Sequence, residues 1–116
     1  MLIDLKRMNR LEIDDRHMYA LVEPGVIYSQ LQEQAMRKGL YITVPGGGAQ
    51  TSVVANYLMW WLSPLNYRQG MAFRRILGVE WVLPDGELLK LGSLAIGKDY
   101  FWGDGLGVDL RGLVRG

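Results

Sequence analysis

Residues 76–91 contain a strand–turn–strand pattern that limits the possible folds more than any other feature. Residues 76–83 alternate as a strand does, with Val79, Trp81 and Leu83 on one face. The Leu-Pro-Asp-Gly sequence at the end of this run is typical of a type I turn, with a glycine suited to a bulge. Residues 87–91 predict the returning strand. The chain must therefore contain antiparallel β-sheet.

Further short strands are predicted in the first half of the chain. Residues 2–5 and 11–13 alternate apolar and charged side chains, and residues 18–22 form another β-rich run. A polar turn at residues 14–17 predicts that the second and third of these runs pair as a hairpin. Residues 40–44 are a fourth short β-rich run.

A helix is predicted after the Glu-Pro-Gly sequence that ends the first hairpin. Ser29 and Gln32 have the spacing of a capping box, and Ile27, Leu31 and Ala35 fall on one apolar face. Two basic residues and a glycine follow, as expected for a helix C-terminus. Together these elements predict an α+β fold, a mostly antiparallel sheet with flanking helices, in one domain of 116 residues.

The composition excludes several classes of function. With 49% hydrophobic and 22% charged residues, the chain resembles an ordinary globular protein. Its net charge of +1, without long runs of one sign, argues against nucleic-acid or anionic-membrane binding. The absence of cysteine excludes disulfides and thiolate chemistry. The start of the chain lacks an apolar run of signal-peptide length, so a cytoplasmic location is expected.

The glycine-rich segment PGGGAQTSVVAN, residues 45–56, is the main candidate site. Glycines let backbone amides approach a diphosphate or a flat ring closely. A helix predicted to begin at Ser52 would add a favourable dipole for negative charge. The segment is neither a P-loop nor a dinucleotide-binding glycine motif. A flexible surface loop is the alternative that its composition leaves open.

The other reactive side chains point to no site of their own. His17 lies in a predicted polar turn, where a surface role is expected. Trp60, Trp61 and Tyr67 follow the glycine-rich segment, and either core packing or stacking on a flat ring would account for them. No cluster suggests a metal ion, and no pair of carboxylates suggests acid–base catalysis.

Four blocks occur in a characteristic order: YALVEPGV at residues 19–26, the glycine-rich segment, ILGVEWVLPDGELLKLG at 76–92, and GVDLRGLVRG at 107–116. In this order they resemble the FAD-binding domain shared by vanillyl-alcohol oxidase, p-cresol methylhydroxylase, glycolate oxidase and D-lactate dehydrogenase. The third block is especially similar to the hairpin of that family. The resemblance covers nearly the whole chain.

The resemblance implies FAD as the cofactor and two α+β subdomains with FAD extended between them. Residues 1–116 are similar to the second subdomain, so the first subdomain, the final strand and the substrate-binding cap domain are expected to be missing. The positions that match cofactor-lining segments of the family are Pro45, Gly46, Gly47, Thr51, Ser52, Val53, Ala55, Asn56 and Tyr67. Ala55 stands where the family has glycine, and no histidine matches a covalent flavin attachment site.

The resemblance therefore implies part of an FAD-dependent oxidoreductase that acts on a hydroxy acid or an alcohol. Since the cap domain would supply the acid–base groups, no catalytic residue is assigned, and the chain is not expected to be active alone. The alternative is a truncated remnant or a split subunit that acts as a protein-interaction module. Its expected partners are a second copy of the chain or a missing flavoprotein subunit.

Overall fold

The computed structural model describes residues 2–43, 47–59, 66–92 and 112–115. It confirms the predicted α+β class, because two separate antiparallel hairpins alternate with short helices. The elements are β1 (Leu11–Asp14), β2 (Tyr19–Val22), α1 (Tyr28–Arg37), α2 (Val53–Leu58), α3 (Asn66–Gln69), a 3₁₀ helix (Ala72–Arg75), β3 (Gly78–Val82), β4 (Leu88–Gly92) and α4 (Gly112–Arg115).

The predicted first hairpin is present, with Leu11 opposite Val22. Asp14 organises its turn: one carboxylate oxygen accepts from the backbone amides of Arg16 at 2.9 Å and of His17 at 3.0 Å. The other carboxylate oxygen lies 2.9 Å from His17 Nδ1. Such side-chain-to-backbone bonds are the reason that aspartate favours tight turns.

The turn gives the protein an acid-sensitive element. The hydrogen bonds from the ring and the amide of His17 hold the pKa of Asp14 well below its ordinary value. A depressed carboxyl pKa adds stability above the unfolded-state pKa, and this stability is lost as the pH falls through the folded-state pKa. We therefore expect the unfolding free energy to fall with pH below about pH 5, and Asp14→Asn to make that dependence shallower.

Urea denaturation at a series of pH values between about 3 and 7 measures this dependence. Asp15→Asn is the matched control, because Asp15 lies in the same turn and its carboxylate makes a surface ion pair with Lys38 at 3.5 Å. That variant should keep the wild-type slope. If the unfolding free energy of wild type and of Asp14→Asn changed equally with pH, Asp14 would not be the source of the acid sensitivity.

The predicted helix is α1, but its predicted capping box is wrong. The helix begins after Ile27, whose backbone amide donates to Gln30 Oε1 at 3.1 Å, so the reciprocal side chain is Gln30. The carboxamide of Gln32 is instead buried and makes no hydrogen bond with any part of the chain that the structure describes. The predicted C-cap is confirmed: Gly39 has φ +73°, in the left-handed region.

The core lies between the first hairpin, α1 and α2. Its buried side chains are Val26, Tyr28, Leu31 and Val53. Leu31 and Ala35 form the buried face of α1, as predicted. Half-buried side chains from both strands of the hairpin, from the segment after α1 and from α2 complete the packing, namely Leu11, Ile13, Ala20, Val22, Ile42 and Tyr57. The start of α1 and the start of α2 therefore share one core.

Two predicted strands are absent. Residues 2–5 are not a strand, because the Asp4 carboxylate accepts from the Lys6 amide at 2.9 Å and the chain then turns, with Met8 N donating to Leu5 O at 2.9 Å. Residues 40–43 pair with no strand among the described residues, and the last position of that predicted strand lies outside them. In both cases the local sequence pattern carries no information about a partner strand.

The second hairpin has the predicted turn. Leu83 N donates to Glu87 O at 2.8 Å and Gly86 N donates to Leu83 O at 2.9 Å. Gly86 has φ +89°, which the glycine accommodates without strain. Leu91 is buried and anchors the hairpin, whereas Val82 and Leu88 are exposed. In the described part of the chain, no helix has the length and apolar character that crossing a membrane requires.

Candidate cofactor-binding site

The glycine-rich segment is fastened to the start of α1. Tyr28 N donates to Thr51 O at 3.1 Å, and Ser29 N donates to Ala49 O at 2.9 Å. Ile27 also forms an isolated antiparallel bridge with Ser52. The first amides of a helix have no partner within the helix. Here the segment supplies carbonyl groups to those amides, so the position of the segment depends on α1.

Ser52 holds the end of the segment through two hydrogen bonds. Its hydroxyl donates to Pro24 O at 2.7 Å and accepts from Ala55 N at 3.4 Å, which confirms Ser52 as the N-cap of α2. Val53 N donates to Val26 O at 3.0 Å beside it. The segment is therefore joined both to the residues that follow β2 and to α2.

Replacing Ser52 with alanine should lower the unfolding free energy by about 1–2 kcal/mol, because the cap is lost and the Pro24 carbonyl loses its donor. Chemical denaturation measures the change. Ser29→Ala is the matched control, since the Ser29 hydroxyl makes no hydrogen bond in the described part of the chain and alanine favours helix. Equal destabilisation by the two variants would contradict this role of Ser52.

The glycines leave one side of the segment open. Gly48 has φ +93°, and its carbonyl accepts from the Thr51 hydroxyl at 2.8 Å. Among the described residues, a Cβ at Gly47 would meet within 4 Å only the Thr51 methyl group, at 3.4 Å. A flat or anionic group could therefore approach this backbone closely. Pro45 and Gly46, also predicted to line the cofactor, lie outside the described residues.

The other predicted site residues fall into two groups. Val53 and Asn56 are buried, with Val53 in the core and Asn56 Nδ2 donating to Ser52 O at 2.9 Å. Ala55 faces solvent on the same helix. Tyr67 lies on the separate helix α3 and is fully exposed. The structure thus brings residues 51–56 together at the start of α2, and it places Tyr67 on another element.

Tyr28 connects the core to this site. Its side chain is 1% exposed and its ring stacks with that of Tyr57 on α2, with 6.2 Å between the ring centroids. Burial, reinforced by Tyr57, raises the pKa of Tyr28 above its ordinary value, whereas the positive charge of Arg75 acts in the opposite direction. Tyr28 therefore stays neutral at physiological pH and supports both helices.

Arg75 is a residue that the sequence analysis missed. It ends the 3₁₀ helix (Ala72–Arg75), and its Nη1 donates to Thr43 Oγ1 at 2.9 Å. The distribution of charged residues along the sequence does point to this region. Positions 34–79 contain no aspartate or glutamate, but they include the basic residues Arg37, Lys38, Arg68, Arg74 and Arg75. This stretch includes the glycine-rich segment, so the local charge suits an anionic ligand.

Comparison with known proteins gives the family. The model of the FAD binding domain family matches residues 1–92. An uncharacterized FAD-linked oxidoreductase of Mycobacterium tuberculosis is 34% identical over 94 residues, covering 80% of this chain and 20% of that protein. The flavoprotein subunit of 4-cresol dehydrogenase (hydroxylating) of Pseudomonas putida is 29% identical over 104 residues, covering 87% of this chain and 20% of that protein.

A solved structure agrees with these sequence matches. The crystal structure of p-cresol methylhydroxylase with substrate bound superposes with a TM-score of 0.80 at 27% identity, covering 97% of this chain and 23% of that one. The chain belongs to the FAD-binding domain family of flavin-dependent oxidoreductases, whose cofactor is FAD. It spans about a fifth of the length of the curated relatives that it matches.

Proposed function

We propose that this chain forms one wall of the FAD site in an oxidoreductase that oxidises a hydroxy acid or an alcohol. The observation that carries the proposal is the attachment of residues 49–51 to the first amides of α1. That attachment presents the open side of the glycine-rich segment on a fixed support. Bound flavin would supply the redox chemistry by accepting a hydride from the substrate.

The residues present suit FAD in shape and charge. The backbone at Gly47 and Gly48 is open to close approach, and no acidic side chain occurs from position 34 to position 79. We assign the cofactor-lining role to Gly47, Thr51, Ser52 and Ala55 along the segment, with Pro45 and Gly46 preceding them. Val53 and Asn56 would act through their backbone and through packing, since both side chains are buried. Tyr67 would face the flavin ring.

The other parts of the cofactor site lie, in this proposal, outside these 116 residues. The chain corresponds to the second subdomain of the family's FAD domain, and the first subdomain and the cap domain come from further polypeptide. A separate partner subunit is one way to supply it, since the Pseudomonas putida relative is named a flavoprotein subunit. The interaction-module alternative has no support from the relatives. A cytoplasmic location stays a prediction from the sequence.

The test uses the purified protein that carries this chain. We expect it to contain FAD, and we expect anaerobic addition of a hydroxy acid or a primary alcohol to bleach the absorbance of the oxidised flavin. Bleaching by 4-cresol and not by hydroxy acids or alcohols would overturn the substrate class and leave the flavoprotein assignment in place. A protein that contains no FAD, and takes up none when it is added, would overturn both.

Gly47→Val is the variant that tests the open side of the segment. A branched side chain there should obstruct close approach to the backbone and should reduce flavin content, with little change in the midpoint of chemical denaturation. Gln50→Val is the matched control, because Gln50 is exposed in the same segment and already carries a Cβ. Equal flavin content in the two variants would count against contact with the glycine backbone.

A further inference from the structure

The Arg75 side chain is held in place by neutral oxygen atoms. Its Nη1 donates to Thr43 Oγ1 at 2.9 Å, and its Nη2 lies 2.9 Å from Gln69 O and 3.1 Å from Gln69 Oε1. The Thr43 hydroxyl in turn donates to Gln69 Oε1 at 2.9 Å. The three residues form a closed hydrogen-bonded group, so the guanidinium orientation is set before any ligand binds.

A second feature of this arginine is that it has no acidic partner among the described residues. None of the described residues places a carboxylate within ion-pair distance of Arg75, although other arginines of the chain, Arg10 and Arg37, pair with glutamates at 2.6 Å. Arg75 is exposed, and none of its three hydrogen bonds uses Nε. A guanidinium carries five N–H donors, so donors remain available to an incoming group.

The position of the group relates it to the candidate cofactor site. Thr43 lies two positions before the glycine-rich segment in the chain, and the 3₁₀ helix that ends at Arg75 packs against α2, which begins inside that segment. The positive charge of Arg75 also acts to lower the pKa of Tyr28, whose backbone amide binds the segment. An arginine that only fastened the 3₁₀ helix to residue 43 would satisfy the hydrogen bonds equally well. Such a structural role gives no reason for two further features. Arg75 has no acidic partner among the described residues, and positions 34–79 of the chain contain no acidic residue, which leaves the local charge positive.

We propose that Arg75, oriented by Thr43 and Gln69, is an oxyanion-binding site next to the glycine-rich segment. Its ligand is a phosphate or a carboxylate group, the oxyanions that the planar guanidinium of arginine binds through charge-assisted hydrogen bonds. The site rests on the proposed function in one respect: the oxyanion belongs either to the cofactor, as phosphate, or to a hydroxy-acid substrate, as carboxylate.

The test titrates the purified protein that carries this chain, freed of bound flavin, with pyrophosphate and, separately, with D-lactate, at low and constant ionic strength because salt screens exposed charges. Calorimetry or ligand-induced NMR shifts give the affinity. We expect one of the two anions to bind, and Arg75→Met to weaken its binding about tenfold, the loss of one charge-assisted interaction. Binding of pyrophosphate alone identifies the cofactor phosphate, and binding of D-lactate alone identifies the substrate carboxylate.

Arg74→Met is the matched control, since it removes the same charge from the neighbouring exposed position and the Arg74 side chain makes no hydrogen bond or ion pair among the described residues. It should change the affinity less than about twofold. Equal loss in both variants would mean a diffuse positive surface and would overturn the site. If Arg75→Met does not fold, Arg75→Lys and Thr43→Val replace it, and both should weaken binding because the fixed orientation is lost.

A riboflavin titration separates this inference from the proposed function, because riboflavin carries neither phosphate nor carboxylate. Flavin binding that is equal in wild type and Arg75→Met, with no binding of either anion, would overturn the oxyanion site and leave the flavin function standing. Anion binding through Arg75 without any binding of riboflavin or FAD would support the site and count against flavin binding by this chain.

Discussion

Replacing Tyr28 with alanine should lower the unfolding free energy by about 3–5 kcal/mol, the usual cost of truncating a buried aromatic side chain. The side chain is 1% exposed and is the largest fully buried one among the described residues. Its loss removes the stack with Tyr57 and leaves a cavity between α1 and α2. Because domains of this size are stable by only about 5–15 kcal/mol, the effect should be obvious in chemical denaturation.

Tyr41→Ala is the control for Tyr28→Ala, because Tyr41 is 70% exposed and its truncation should cost less than about 0.5 kcal/mol. Tyr28→Phe separates the ring from the hydroxyl and should cost less than about 1.5 kcal/mol. A Tyr28→Ala variant as stable as Tyr41→Ala would show that α1 and α2 do not share a core, and the support proposed for the glycine-rich segment would be lost with it.

The sequence predicted the two hairpins well because their turns are determined locally. Asp14 contacts residues two and three positions ahead, and Gly86 adopts its own left-handed conformation. The wrong prediction at residues 2–5 has the opposite cause. A strand exists only if another strand pairs with it, and alternation of side chains carries no information about that partner. Asp4 and Lys6 form a local turn there instead.

The start of α1 illustrates a second limit. Ser29 and Gln32 fit the capping pattern, but the amide of Ser29 is bound by Ala49, twenty positions further along the chain. Only the folded structure brings that carbonyl to the helix. The capping role falls to Gln30, whose side chain reaches back to Ile27. Apolar periodicity and the C-terminal residues therefore predicted the helix correctly, whereas tertiary contacts determined how it begins.

The sequence predicts which segment forms the candidate site, but it does not predict which distant residues lie beside that segment. Glycine content and family resemblance identified residues 45–56, and the N-cap at Ser52 was readable from its position. Arg75 could not be identified in this way, because its partner Thr43 is 32 positions away. The sequence does show that positions 34–79, which include Arg75, have no acidic residue. That signal concerns charge only, and the structure was needed to identify which arginine is fixed in place.

Gly25→Ala is the second change expected to have a large effect, with a loss of about 2–4 kcal/mol of unfolding free energy from overpacking and a weakened hydrogen bond. A Cβ at Gly25 would lie 2.6 Å from Met8 O and 2.8 Å from Leu5 O. Both contacts are with backbone atoms, so no side-chain rotation can relieve them. The Gly25 amide also donates to Met8 O at 2.7 Å, which holds the first residues against the end of the hairpin.

The destabilisation by Gly25→Ala should extend to the candidate site. Gly25 lies between Pro24, whose carbonyl accepts from Ser52, and Val26, whose carbonyl accepts from Val53. Hydrogen exchange should therefore accelerate at the amides of Val53 and Ala55 in Gly25→Ala. Gly112→Ala is the control, since a Cβ there meets no atom of the described residues within 4 Å, and it should change stability by less than about 0.5 kcal/mol. A Gly25→Ala variant as stable as this control would mean that the first residues do not pack against Gly25.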